Sequence, residues 1–96
     1  MDIIKGEFEL RGKQWKVSVE RATGNLIKAT IENDGVAYYG LMEDIEPDAA
    51  EMALNYAFGN MLAAGDITYD EMEQLATEYA PDCNDIIHAI MIGLEG

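Results

Sequence analysis

From Asp70 to the end of the chain, DEMEQLATEYAPDCNDIIHAIMIGLEG carries seven acidic residues and no Lys or Arg. Carboxylates at these spacings could stand in for a row of phosphates. On a helix, side chains three or four residues apart lie about 5–6 Å from one another, comparable to phosphates along a nucleic-acid strand. Asp70, Glu73 and Thr77 would share one flank of such a helix, with Glu71, Gln74 and Glu78 on the adjoining one. Asp82 and Asp85 extend the row at the next corner, and Asp66 precedes it. Asp66, Asp70, Glu71, Glu73, Glu78, Asp82 and Asp85 are therefore the candidate partner-binding set, suited to a Lys/Arg-rich groove. Nucleophilic chemistry is poorly supplied by comparison. Cys83 and His88 are five residues apart on one expected helix, an offset of about 500° that sets them on different sides of the axis. A single His and a single Cys cannot build a zinc site within one chain, and there is no Gly-rich phosphate loop. The expectation is a protein without catalysis, cofactor or metal.

The stretch NMLAAGDITYDE matches part of a calcium-binding loop, with Gly65 at the sharp turn, Ile67 two residues on and Glu71 at the closing position. It fails at the first, third and fifth positions, which should supply oxygen and here are Asn60, Leu62 and Ala64. A helix end followed by a capped helix start explains the same residues. Trp15, Phe8, Phe58, Tyr38 and Tyr39 could form a base-stacking platform, but such platforms need a cationic groove beside them. Most of these rings are better read as core.

The elements that would position the acidic row follow from periodicity. GEFEL and QWKVSVE alternate apolar and polar residues and flank RGK, a hairpin turn. NLIKATIE supplies a third strand, entered through ATGN. Asp34-Gly35 suits a tight turn with positive backbone angles before the fourth strand, VAYYGLM. After Pro47 the pattern turns helical: PDAAEMALNYAFGNMLAA is apolar nearly all round, hence a helix covered on more than one side, with Pro47 in its first turn. Thr68 and Glu71 have capping-box spacing ahead of a helix with a Met72, Leu75, Ala76 and Tyr79 stripe. Pro81 ends that helix, and Asp82 caps a third, with Cys83, Ile86, Ile87, Ile90, Met91 and Leu94 on its buried face. The expected fold is α+β, a four-stranded antiparallel meander followed by three helices packed on one face. It forms a single domain over 1–96, with the sheet in 1–44 and an acidic helical part in 47–96.

Composition narrows the partner. The chain has 96 residues, 49% of them hydrophobic, and a net charge of −13, enough apolar material for a core despite the charge. All six cations (Lys5, Arg11, Lys13, Lys16, Arg21 and Lys28) lie in the first 28 residues with four acids, whereas the other 68 hold 15 acids and no Lys or Arg. Nucleic acid and anionic membranes are thus poor direct partners. One cysteine, no signal-peptide pattern and no apolar run near the roughly 20 residues of a membrane span point to a soluble, cytoplasmic protein. Where no cation is near, crowded carboxylates should have raised pKa values.

In size, charge and the layout of KVSVERATGNLIKATIENDG followed by helices, the chain resembles phage-encoded anti-CRISPR proteins and related acidic DNA-mimic inhibitors. That resemblance implies a stoichiometric inhibitor occupying the nucleic-acid groove of an effector, most readily a CRISPR-Cas complex. The alternative is a phage or bacterial structural or assembly protein acting through apolar contacts of Met42, Met52, Met61, Met72 and Met91. Ala49, Ala50, Ala53, Ala57 and Gly59 give the first helix a small-sided surface that could meet a second copy, so a homodimer is expected.

Overall fold

The computed structural model describes residues 2–81. Four strands, β1 (Asp2–Leu10), β2 (Lys13–Arg21), β3 (Leu26–Asn33) and β4 (Val36–Glu43), form a sheet in the order β1-β2-β3-β4 with every pairing antiparallel. Helices α1 (Ala49–Ala63) and α2 (Tyr69–Tyr79) follow. The α+β meander is as expected, with two helices among the described residues. The expected third helix, with Cys83 and His88, falls on residues outside the described ones.

Local chemistry sets the turns. Arg11 and Gly12 have φ of 54° and 77°, and Asp34 and Gly35 have 44° and 86°. Both are two-residue connections, between paired Leu10 and Lys13 and between paired Asn33 and Val36. Two successive positive φ values give a type I′ turn, whose twist matches that of the strands it joins. β1 begins four residues earlier than the alternation in GEFEL suggests. The adjacent Ile3 and Ile4 break the two-residue period, and the β1–β2 register shifts between Asp2 and Ile4. Pro47 is likewise outside α1: Asp48 is the N-cap, and the Ala49 N–H bonds the Glu46 carbonyl in a preceding turn.

One face of the sheet carries the core. Phe8, Trp15, Val17, Val19, Ile27, Ala29 and Ile31 are buried with Leu54, Phe58 and Met61 of α1 and Met72 and Ala76 of α2. Phe8 meets Phe58 and Trp15 meets Tyr38 as tilted ring pairs, with centroids 6.2 and 6.1 Å apart. The rings offered as a stacking platform are thus largely core, Tyr39 excepted, which is exposed beneath the Lys28 ammonium 4.6 Å from its centroid.

The small residues of α1 are spent inside the chain. A Cβ built on Gly40 of β4 would lie 1.9 Å from the Ala53 carbonyl oxygen and 2.7 Å from the Ala57 nitrogen. Helix backbone rests on strand backbone there, and Ala49, Ala53 and Ala57 are buried beneath it. This face is therefore not the one a second copy could use. Gly40→Ala is expected to force α1 off the sheet and to cost about 3 kcal/mol, the upper range for overpacking, read as a lowered urea midpoint.

Candidate functional site

Helix α2 opens on a complete capping box. The Glu71 N–H donates to Thr68 Oγ1 at 3.2 Å, and the Thr68 N–H donates to Glu71 Oε1 at 2.8 Å. Arg11, at the tip of the β1–β2 hairpin, donates to the same Oε1 at 3.0 Å and to the Gly65 carbonyl at 3.4 Å. Bonds from Thr68, followed by the Arg11 charge, hold the Glu71 carboxyl below its ordinary value of 4.5. This direction is opposite to that expected of crowded carboxylates, because N–H donors and a guanidinium surround this one. Glu71 is therefore a structural cap and the anchor of a hairpin, and it drops out of the row offered to a partner.

Asp66 drops out for a similar reason. It lies between the helices, half-buried, and accepts the Tyr38 hydroxyl, whose pKa is raised first by that hydrogen bond and then by burial. Asp70, Glu73 and Glu78 remain, all exposed on α2. Asp70 and Glu73 line a shallow groove with Gln74 and Thr77, where the Thr77 hydroxyl donates to the Glu73 carbonyl at 2.8 Å. Asp82 and Asp85 lie outside the described residues. Among the described residues, what remains on α2 is thus Asp70 and Glu73 on one flank and Glu78 on the adjoining one, and no described cation pairs with them.

Other sequence candidates resolve into structure. Asn60, the first position of the calcium-loop match, donates from Nδ2 to the Tyr39 carbonyl at 2.7 Å, and Glu71, its closing position, is the cap. Met61 and Met72 are buried in the core, which removes them from any adaptable interface, and Met91 lies outside the described residues. A second acidic segment, Glu43 to Glu51, lies outside the sequence candidates. There Asp44 accepts from Arg21, while Glu43 and Glu46 are exposed. Charge density alone would have singled it out. No helix among the described residues is long and apolar enough to cross a membrane. Compared with known proteins, the chain matches no family model, no curated protein and no solved structure.

The charges of α2 are not all placed for stability. Asp70 and Glu71 sit in its first turn, where the helix dipole favours anions, but Glu78 stands in the last turn, which contains no base. Glu78→Lys is expected to raise stability by about 0.5 kcal/mol, measured by urea denaturation. Thr68→Ala, which removes the cap, is expected to cost about 1 kcal/mol. The folded pKa of Glu71 is lowered, so its stabilisation is present above the unfolded value and is lost as pH falls through the folded one. The melting-temperature difference between the native chain and Glu71→Gln should therefore shrink as pH falls below about 4.5.

Proposed function

We propose that this protein is a non-enzymatic acidic inhibitor acting in the cytoplasm. It binds a nucleic-acid-binding effector by presenting α2 carboxylates where the effector would take phosphates. The observation that carries the reading is that Asp70, Glu73 and Glu78, on two adjoining flanks of one helix, are exposed without a cation partner among the described residues. A solvated helix chosen for stability alone would exchange Glu78 for a base, since at the C-terminal turn the carboxylate opposes the helix dipole. Charge kept at an energetic cost supports selection for a cationic partner. The resemblance to anti-CRISPR proteins makes a CRISPR-Cas complex the first target class, with its guide- or target-binding groove as the docking surface.

The test is competition. The protein is titrated into CRISPR-Cas effector complexes, and target-DNA binding is read by gel shift at low and at raised salt. Inhibition should weaken as salt screens both surfaces. The variant Asp70→Lys/Glu73→Lys/Glu78→Lys should lose it while keeping its fold by circular dichroism. Glu71 is left intact in that variant because it caps the helix. Full inhibition by the folded triple variant, or inhibition indifferent to salt, refutes the reading.

A further inference from the structure

The geometry points to the outer edge of β1, which no described strand pairs, as a pairing surface for β1 of a second copy, antiparallel and centred on Gly6. Two observations fix which backbone groups face outward. Leu10 and Lys13 flank a type I′ turn and so form a hydrogen-bonded pair. Counting back by alternation, Phe8, Gly6 and Ile4 direct their N–H and C=O toward β2, and Glu9, Glu7 and Lys5 direct theirs away. Independently, the Tyr79 hydroxyl donates to the Glu7 carbonyl at 3.0 Å, reaching a group that the ladder leaves free. Among the described residues no strand pairs with this edge. The opposite edge, β4, lies under α1, whose backbone rests on Gly40 and whose Asn60 takes the Tyr39 carbonyl.

The sequence of β1 then selects an occupant and a register. Only outward-facing residues can exchange hydrogen bonds across the new seam, so the symmetric registers through the middle of β1 place the two-fold axis at Ile4, Lys5, Gly6, Glu7 or Phe8. Centred on Ile4 the pairing sets Ile3 opposite Lys5 and makes no charge pair; centred on Lys5 it sets two lysines opposite each other; centred on Glu7 it sets two glutamates opposite each other beside Lys5 facing Glu9; and centred on Phe8 it sets Glu7 opposite Glu9 twice. Centred on Gly6, Lys5 of each copy faces Glu7 of the other, and Ile4 faces Phe8 on the core side. Opposite charges directly across a seam stabilise it and like charges oppose it. Gly6 also gives the axis room: a Cβ there would lie 2.6 Å from Tyr79 Cε1, so the bare backbone is what lets the ring lie over the strand. A carbonyl oxygen has two lone pairs, so Glu7 can accept from both Tyr79 and a partner N–H. The seam would join two meanders into one continuous sheet, and Asp70, Glu73 and Glu78 are not among the residues it pairs.

The test uses sedimentation equilibrium of the full chain up to the low hundreds of micromolar, with circular dichroism to confirm folding. The native chain should dimerise. Lys5→Glu and Glu7→Lys, at exposed positions, should each weaken the dimer about tenfold, because every charge pair across the seam becomes repulsive. The double variant Lys5→Glu/Glu7→Lys should restore it, and an equimolar mixture of the two single variants should form the heterodimer. A native chain that stays monomeric overturns the proposal. So does a dimer that both folded single variants retain at full strength, which would seat the contact elsewhere.

Discussion

The close approach of α1 to β4 at Gly40 is the constraint from which the rest of the structure follows. With Ala53 and Ala57 above it and no side chain below, helix backbone meets strand backbone. This seats Leu54, Phe58 and Met61 against the β2 and β3 side chains. A helix held that near an edge strand leaves the β1 side of the sheet to α2. There Met72 and Ala76 complete the core, and Tyr79 closes over Gly6. Two glycines in two edge strands thus serve as recesses, one for a helix backbone and one for a single ring.

Electrostatics is organised by the same packing. Cations confined to the N-terminal hairpins are carried by the strands to acids distant in sequence: Arg11 to Glu71, sixty residues away, and Arg21 to Asp44. These exposed pairs contribute little energy individually. The first is nonetheless selective, because it takes Glu71 out of the candidate set, as the Tyr38 hydroxyl does Asp66. What is left on α2 is Asp70, Glu73 and Glu78, a smaller anionic set than the sequence offered.

Much of the fold was legible because it is local. Alternation fixed the faces of β2 and β3, Asp34-Gly35 required a turn with positive φ, and Thr68 with Glu71 announced the start of α2. Each signal spans a few residues and acts through backbone preference or a neighbouring side chain. Where local signals conflicted, the reading failed. Pro47 suited a first helical turn but stands ahead of the Asp48 cap, and the adjacent Ile3 and Ile4 hid the first part of β1.

By itself, the sequence determined the meander, the capped acidic helix and the segregation of cations into the first 28 residues. Tertiary structure decided the fate of individual groups. Glu71 became a cap and hairpin anchor, Asp66 the acceptor for Tyr38, and the small face of α1 a seat on Gly40 rather than a surface for another chain. The physical reason is range. Hydrogen bonds within a turn are encoded by neighbours in the chain, whereas ion pairs and backbone contacts across tens of residues exist only after packing has fixed both partners in space.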